Sequence, residues 1–114
     1  MSKTKNKSRV TASSGNVFAD LGISPPQEKQ AKVRLAVAIN QIIQARKLSQ
    51  TAAARRLKVN QPKVSALANY QLDGFSVKRL MNFLTALDRD VHIVIRRTAR
   101  PRQAGRILVT AAQV

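Results

Sequence analysis

The chain has 114 residues, which is enough for one small domain with short flanking arms but not for two independent folding units. Lysine and arginine number 21 against 5 acidic residues, and the resulting net charge of +16 predicts a polyanionic partner. With no cysteine, one histidine and no apolar run near the roughly 18 residues of a membrane span, the sequence excludes disulfide frameworks, zinc fingers, cysteine nucleophiles and membrane insertion.

Residues 1–16 are basic, small and polar, with almost no apolar side chains. Such a segment cannot bury enough surface to offset its conformational entropy, so we predict a disordered basic arm. The same composition resembles an organelle transit peptide, but no apolar helical face accompanies it. The first apolar anchors follow at Phe18, Leu21 and Ile23, which we expect to lie against the domain.

A long amphipathic helix is predicted after the arm. Ser24 is placed to cap it, two prolines occupy its first turn, and Gln27 stands at the capping-box position. Apolar residues recur at helical spacing as far as Lys47. They are Val33, Leu35, Ala36, Val37, Ile39, Ile42 and Ile43.

Two short helices follow, separated by a tight turn. The second helix is predicted over residues 50–57 with Ser49 as its cap, and alanines leave it a face that another helix can approach closely. The third runs from residue 61 to about 69, capped by Asn60, with Pro62 tolerated in its first turn.

A fourth helix and a strand complete the pattern. Ser76 caps a helix that ends near Asp88, and the apolar period then changes from helical to alternating, which predicts a strand over residues 91–96. Because one strand alone is unstable, it needs either the run 106–110 or the same strand of a second subunit. We favour the dimer. Its predicted interface consists of Val91, Ile93 and Ile95, and residues 98–114 form a basic tail.

The segment 50–69 has the ingredients of a helix-turn-helix: two short helices, a tight turn, small residues on the first helix and a capped polar start to the second. Ala54 stands where the helices approach so closely that little more than a methyl group fits. Val64 and Leu67 are the apolar side chains that hold the second helix against the first. This spacing is a more specific signal than the charge.

The segment resembles the helix-turn-helix of Cro/repressor-type, XRE-like transcriptional regulators, through the stretch Leu48-Ser49-Gln50 followed by Ala54 and Val64. The likeness covers residues 32–87. It implies an all-α domain of four to five helices over residues 17–97, in which the helix after the turn enters the DNA major groove.

The resemblance also implies roles for single residues. Gln61 would read adenine, while Gln50 would bind phosphate and support it. Independently, a glutamine amide presents the donor and acceptor that match adenine N6 and N7, and lysine donates to guanine acceptors. The residues predicted to read bases are Gln61, Lys63 and Ser65. The predicted phosphate contacts are Gln50, Thr51, Arg55, Asn69, Arg46 and Lys47.

Two departures from the family pattern affect the turn. Lys58 occupies the position where the family often has glycine, so a left-handed backbone there carries strain. Pro62 lacks the N–H group that a helix start otherwise offers to phosphate.

The sequence therefore predicts a non-enzymatic regulator, most simply a repressor, that binds double-stranded DNA as a homodimer on a palindromic operator. We expect no cofactor and no metal: His92 has no second ligand nearby in sequence, and the spacing of Asp88 and Asp90 is typical of a turn. The predicted location is the bacterial cytoplasm, on the nucleoid through DNA binding.

Three alternatives stay open at this point. The C-terminal strand resembles that of host-inhibition-of-growth type antitoxins, which repress their own operon and neutralise a ribonuclease toxin. Since those toxins tend to be basic, a +16 chain is expected to repel them. A nucleoid-packaging protein would use the charge without base selection, and an RNA chaperone would need more than four scattered aromatic residues.

Overall fold

The computed structural model describes residues 25–98 and 105–111, and this part of the chain contains four α-helices. They are α1 (Pro25–Ala45), α2 (Gln50–Leu57), α3 (Gln61–Ala68) and α4 (Val77–Ala86). All four predicted helices are confirmed, although α1, α3 and α4 end slightly before the predicted residues. The predicted arm, the anchor segment that follows it and most of the basic tail lie outside the described residues. None of the described helices has the length and hydrophobicity that a membrane crossing requires.

The helix starts follow the caps that the sequence predicts. The side chain of Ser49 accepts a hydrogen bond from the backbone N–H of Ala52, and Asn60 does the same at the start of α3. Ser76 caps α4 in the same way. Each cap satisfies a backbone donor that the helix itself leaves unpaired, which stabilises such a helix by about 1 kcal/mol.

Each helix is followed by a non-glycine residue with left-handed backbone. These residues are Lys47, Lys58, Tyr70 and Asp88, with φ angles between 54° and 65°. Lys58 is the C-cap of α2, with φ 60°, so the backbone predicted to be strained has the left-handed conformation. A left-handed L-residue costs about 1–2 kcal/mol, and here it stops α2 abruptly enough for α3 to begin after a short turn.

The core is built mainly from leucine, isoleucine and alanine, together with Phe75, Val77 and Phe83, and α1 packs chiefly against α4. Its largest fully buried side chains are Ile39, Ile42, Leu67, Leu80 and Leu87. A smaller cluster of Ala53, Ala54 and Val64 lies between α2 and α3. Because no polar or charged side chain is fully buried among the described residues, apolar packing sets the angle between these helices.

The strand predicted over residues 91–96 is not formed in the single chain. Residues 91–98 and 105–111 contain neither helix nor strand. Pairing with the run 106–110 is therefore also not formed. An isolated strand has no neighbour to complete its hydrogen-bond ladder. Both segments nevertheless lie on the domain, since Val91 and Val109 pack against the core and Arg34 Nη1 donates to the carbonyl of Val109 over 3.2 Å. Pairing between two subunits stays a prediction.

Candidate nucleic-acid interface

One side of helix α3 is buried against the core and the other side is exposed to solvent. Val64 and Leu67 are 3% and 1% exposed and hold the inner side of the helix against the core. Since successive residues of a helix are separated by about 100°, Pro62 and Asn69 lie on the opposite side, and both are exposed. The helix therefore presents a continuous outer face to solvent.

Gln61 stands at the start of α3 and contacts the start of α2. Its side-chain Nε2 donates a hydrogen bond to Oγ1 of Thr51, and both residues are exposed. The neighbouring Gln50 is also exposed, and its side chain has no hydrogen-bond partner among the described residues. The turn thus brings Gln61 into contact with Thr51, which lies ten residues earlier in the sequence beside Gln50.

Further along α3, Ser65 and Asn69 occupy the outer face one turn apart. Asn69 donates two hydrogen bonds to the carbonyl of Ser65, one from its backbone N–H at 3.0 Å and one from Nδ2 at 2.9 Å. These bonds hold the Asn69 amide at the end of the helix, and its side-chain oxygen has no hydrogen-bond partner among residues 25–98 and 105–111. The hydroxyl of half-buried Ser65 has no partner within the described part of the chain.

Lys63, the third predicted base reader, lies apart from Gln61. Two residues along a helix place it about 200° around the axis. Its Nζ lies 3.4 Å from the carbonyl oxygen of Gly74 and 5.0 Å from the centre of the Phe75 ring. The structure therefore brings Gln61, Ser65 and Asn69 to one face and places Lys63 at its edge, against the loop that follows α3.

Arg46, a predicted phosphate contact, is engaged within the domain. Its Nη2 donates to the carbonyl of Leu87 at 3.0 Å and to Oδ2 of Asp88 at 3.2 Å. Arg56 donates to the same Asp88 oxygen at 2.6 Å and to the carbonyl of Ala86 at 3.2 Å. One carboxylate thus joins the ends of α1 and α2 to the end of α4.

This role of Asp88 was missed by sequence reasoning, which assigned Asp88 only to a turn. Its partners lie 42 and 32 residues away in sequence, so no local pattern signals the contact. The hydrogen bond from Arg46, followed by the positive charge of Arg56, lowers the pKa of Asp88 below 3.8. The carboxylate is therefore charged at every pH at which the protein would meet DNA.

Asp88→Asn is expected to lower the Tm at neutral pH and to flatten the acid side of the stability profile. Because the pKa of Asp88 is lower in the folded protein than 3.8, its contribution to stability is present above that value and is lost as the pH falls through the folded pKa. The two proteins should therefore converge only at acidic pH. Asparagine also tolerates left-handed backbone, so the substitution tests the charge. Thermal melting across this pH range checks it, and identical profiles would contradict it.

Two predicted phosphate contacts remain available. Lys47 and Arg55 are both exposed, and their side chains make no hydrogen bond or ion pair with the rest of the described residues. Lys47 follows α1, while Arg55 lies on α2. Within the part of the chain that the structure describes, neither cation has a partner to give up before it binds a phosphate.

Comparisons with known proteins agree with this arrangement. A family described as a helix-turn-helix domain matches residues 17–96. A solved structure that bears the name XRE family transcriptional regulator is similar to this chain, with 60% sequence identity and a TM-score of 0.74. The similarity covers 78% of this chain and 100% of that one. Among curated proteins, none matches.

Proposed function

The chain belongs to the XRE-like helix-turn-helix transcriptional regulators, which are DNA-binding proteins, and from this premise we propose that it represses transcription as a homodimer on a palindromic operator. The observation that carries the proposal is the outer face of α3. Gln61 begins this exposed face, while Val64 and Leu67 hold the opposite side in the core. A polar helix face that protrudes from a packed domain has the shape that the major groove accommodates.

Gln61 and Ser65 are the base readers in this proposal, and Lys63 joins them at the edge of the groove. A glutamine amide matches adenine, and a serine hydroxyl both donates and accepts. Lys63 must first leave the Gly74 carbonyl, but a 3.4 Å contact on the surface is weak enough for a guanine acceptor or a phosphate to replace it.

The backbone of the DNA would be held by the polar residues around this face. We assign phosphate contacts to Gln50, Lys47, Arg55 and Asn69, whose functional groups have polar atoms without a partner in the described part of the chain. Arg46 receives no such role, because its guanidinium already donates to Leu87 and Asp88. Neutralising phosphates releases counterions, so affinity for any duplex should fall steeply with salt.

Dimerisation is supported by an apolar segment that the single chain leaves uncovered. Ile93, Val94 and Ile95 are 77%, 66% and 93% exposed, while neighbouring Val91 is packed against the core. Consecutive exposed β-branched residues are costly in a monomer and are suited to pairing with another strand. Pairing the segment 91–96 with its copy across a two-fold axis would cover them. It would also present two recognition helices about 34 Å apart, one helical turn of DNA.

The test is selection of binding sequences from a random duplex pool, followed by the same selection with Gln61→Ala. The parent protein should enrich a palindrome, and the variant should lose preference at one base pair per half-site by about 5- to 150-fold, the range for a bidentate contact. Gln44→Ala, which removes an exposed glutamine from α1, is the matched control and should keep the preference. Enrichment of no sequence, or the same preference in Gln61→Ala, would overturn the proposal.

The antitoxin alternative has less support. A basic toxin needs an acidic surface, yet Glu28 is paired with Lys32 and Asp88 with two arginines. The acidic residues that remain in the described part of the chain, Asp73 and Asp90, lie in separate loops. The apolar segment 93–95 could pair with a second copy of the chain or with a toxin. Both of these partners are basic, so the charge favours the second copy only when DNA lies between the basic faces of the two subunits.

A further inference from the structure

The hydrogen bond between Gln61 and Thr51 has a direction, and that direction affects which base Gln61 reads. The amide nitrogen of Gln61 donates one of its two protons to the hydroxyl oxygen of Thr51. The second proton and the carbonyl oxygen Oε1 have no hydrogen-bond partner among the described residues. An amide held this way presents one donor and one acceptor side by side.

Adenine and guanine differ at the edge this amide would meet. In the major groove adenine shows an acceptor at N7 and a donor at N6, whereas guanine shows acceptors at both N7 and O6. The free N–H and Oε1 of Gln61 match adenine. If the amide were turned over, Oε1 would accept from the threonine hydroxyl and only N–H donors would face the groove, which suits guanine.

Among the described residues, Thr51 is the side chain that orients the amide of Gln61. Asn60 caps α3 and Pro62 restricts the backbone beside Gln61, so the start of the helix is held in place. Beyond the backbone, a glutamine side chain keeps three rotatable bonds. Across the residues that the structure describes, Thr51 is the one side chain that hydrogen-bonds to it.

We propose that Thr51 is a positioning residue, which orients the amide of Gln61 and thereby sets its preference for adenine over guanine. The inference rests on the proposed function, since it assumes that Gln61 meets a base. The hydroxyl proton of Thr51 is not used in the bond to Gln61 and is free to be donated to a DNA phosphate. Such a contact would leave the oxygen as an acceptor only and would reinforce the orientation.

The experiment compares Thr51→Val, Thr51→Ser and Gln61→Ala on the selected operator and on the same duplex with adenine replaced by guanine at the position Gln61 reads. Valine keeps the branched shape and removes the hydroxyl, while serine keeps the hydroxyl. We expect Thr51→Val to reduce the adenine-to-guanine affinity ratio by about 5- to 10-fold, at the lower end of the range of one base contact, and Thr51→Ser to preserve it. Thr51→Ala serves as a second hydroxyl-free variant, and thermal melting confirms that each protein is folded.

The outcomes distinguish a failure of the Thr51 proposal from a failure of the base-reading role of Gln61. If Thr51→Val weakened every duplex equally and left the ratio unchanged, Thr51 would be a phosphate contact alone and the inference would fail. If Thr51→Val and Thr51→Ser lowered the ratio alike, the hydroxyl would not be the cause. If Gln61→Ala itself left the ratio intact, the base-reading role of Gln61 would fail first.

Discussion

Ala53→Leu is expected to destabilise the domain by about 3 kcal/mol and to abolish operator binding. Ala53 is 0% exposed and lies with Ala54 and Val64 in the contact between α2 and α3. Leucine adds a branched side chain where two helices leave room for a methyl group. The added atoms must push α3 outward or force neighbouring side chains out of their preferred rotamers.

Binding should fall further than stability alone explains. A recognition helix has to deliver several side chains to base edges at once, and a displacement of about 1 Å removes hydrogen bonds that depend on distance and angle. Denaturant unfolding measures the loss of stability, and operator affinity measured well below the unfolding midpoint isolates the effect on α3.

Ala45→Leu is the matched control, because Ala45 is exposed at the end of α1. The same chemical change there should alter the free energy of unfolding by no more than about 0.5 kcal/mol and leave operator affinity unchanged. Equal stability and affinity in Ala53→Leu and the parent would show that the close contact between α2 and α3 does not set the position of the recognition helix.

Ile95→Asp is expected to convert the proposed dimer into a monomer and to lower operator affinity by about 100-fold or more, since two linked half-site contacts become one. Ile95 is 93% exposed in the single chain, so the substitution has little effect on the fold of one subunit. In a paired strand, however, the two aspartates would bring like charges into an apolar contact and remove its hydrophobic stabilisation. Sedimentation measures the mass, and titration with the selected palindrome measures the affinity.

Val37→Asp controls for the change in charge. Val37 is 37% exposed on α1, outside the segment 91–96, and its replacement also lowers the net charge by one unit. Val37→Asp should reduce the operator affinity only by the small electrostatic amount that a one-unit fall in net charge causes. A parent protein that is monomeric while bound to a palindrome, or an Ile95→Asp variant that stays dimeric, would contradict the role of this segment.

The positively charged residues of this chain fall into two groups, those that stabilise the fold and those that are available to bind DNA. The net charge alone does not distinguish the two groups. Arg46 and Arg56 brace the helix ends through Asp88, so part of the positive charge contributes to the fold. Lys47 and Arg55 have no partner among the described residues and remain available to DNA. Salt should therefore lower the DNA affinity more than it lowers the stability of the fold. The reason is that DNA binding by cations such as Lys47 and Arg55 releases counterions, and added salt opposes this release.

The helices could be predicted because their signals are local. Ser49, Asn60 and Ser76 accept hydrogen bonds from backbone groups three residues ahead, and the apolar period then follows from the fixed pitch of a helix. The position of Lys58 was marked by the family resemblance, which often has glycine there, and the structure gives it a left-handed backbone at the end of α2. The exposure of Gln61 follows from its place as the first residue of α3, where no earlier turn of the helix covers it.

The residues whose surroundings the sequence did not reveal are those with distant partners. Lys63 lies against Gly74 and Phe75, and Arg46 reaches Leu87, because chain segments far apart in sequence meet when the helices pack. The hydrogen bond from Gln61 to Thr51 depends likewise on the angle between α2 and α3. The segment 91–96 remains unpaired because its predicted partner is a second chain, which intrachain packing cannot supply. Local spacing thus determined the helices, their caps and the exposed outer face of α3. Only the tertiary structure decided which polar groups of the described residues already have an intramolecular partner, because those partners lie far away in sequence.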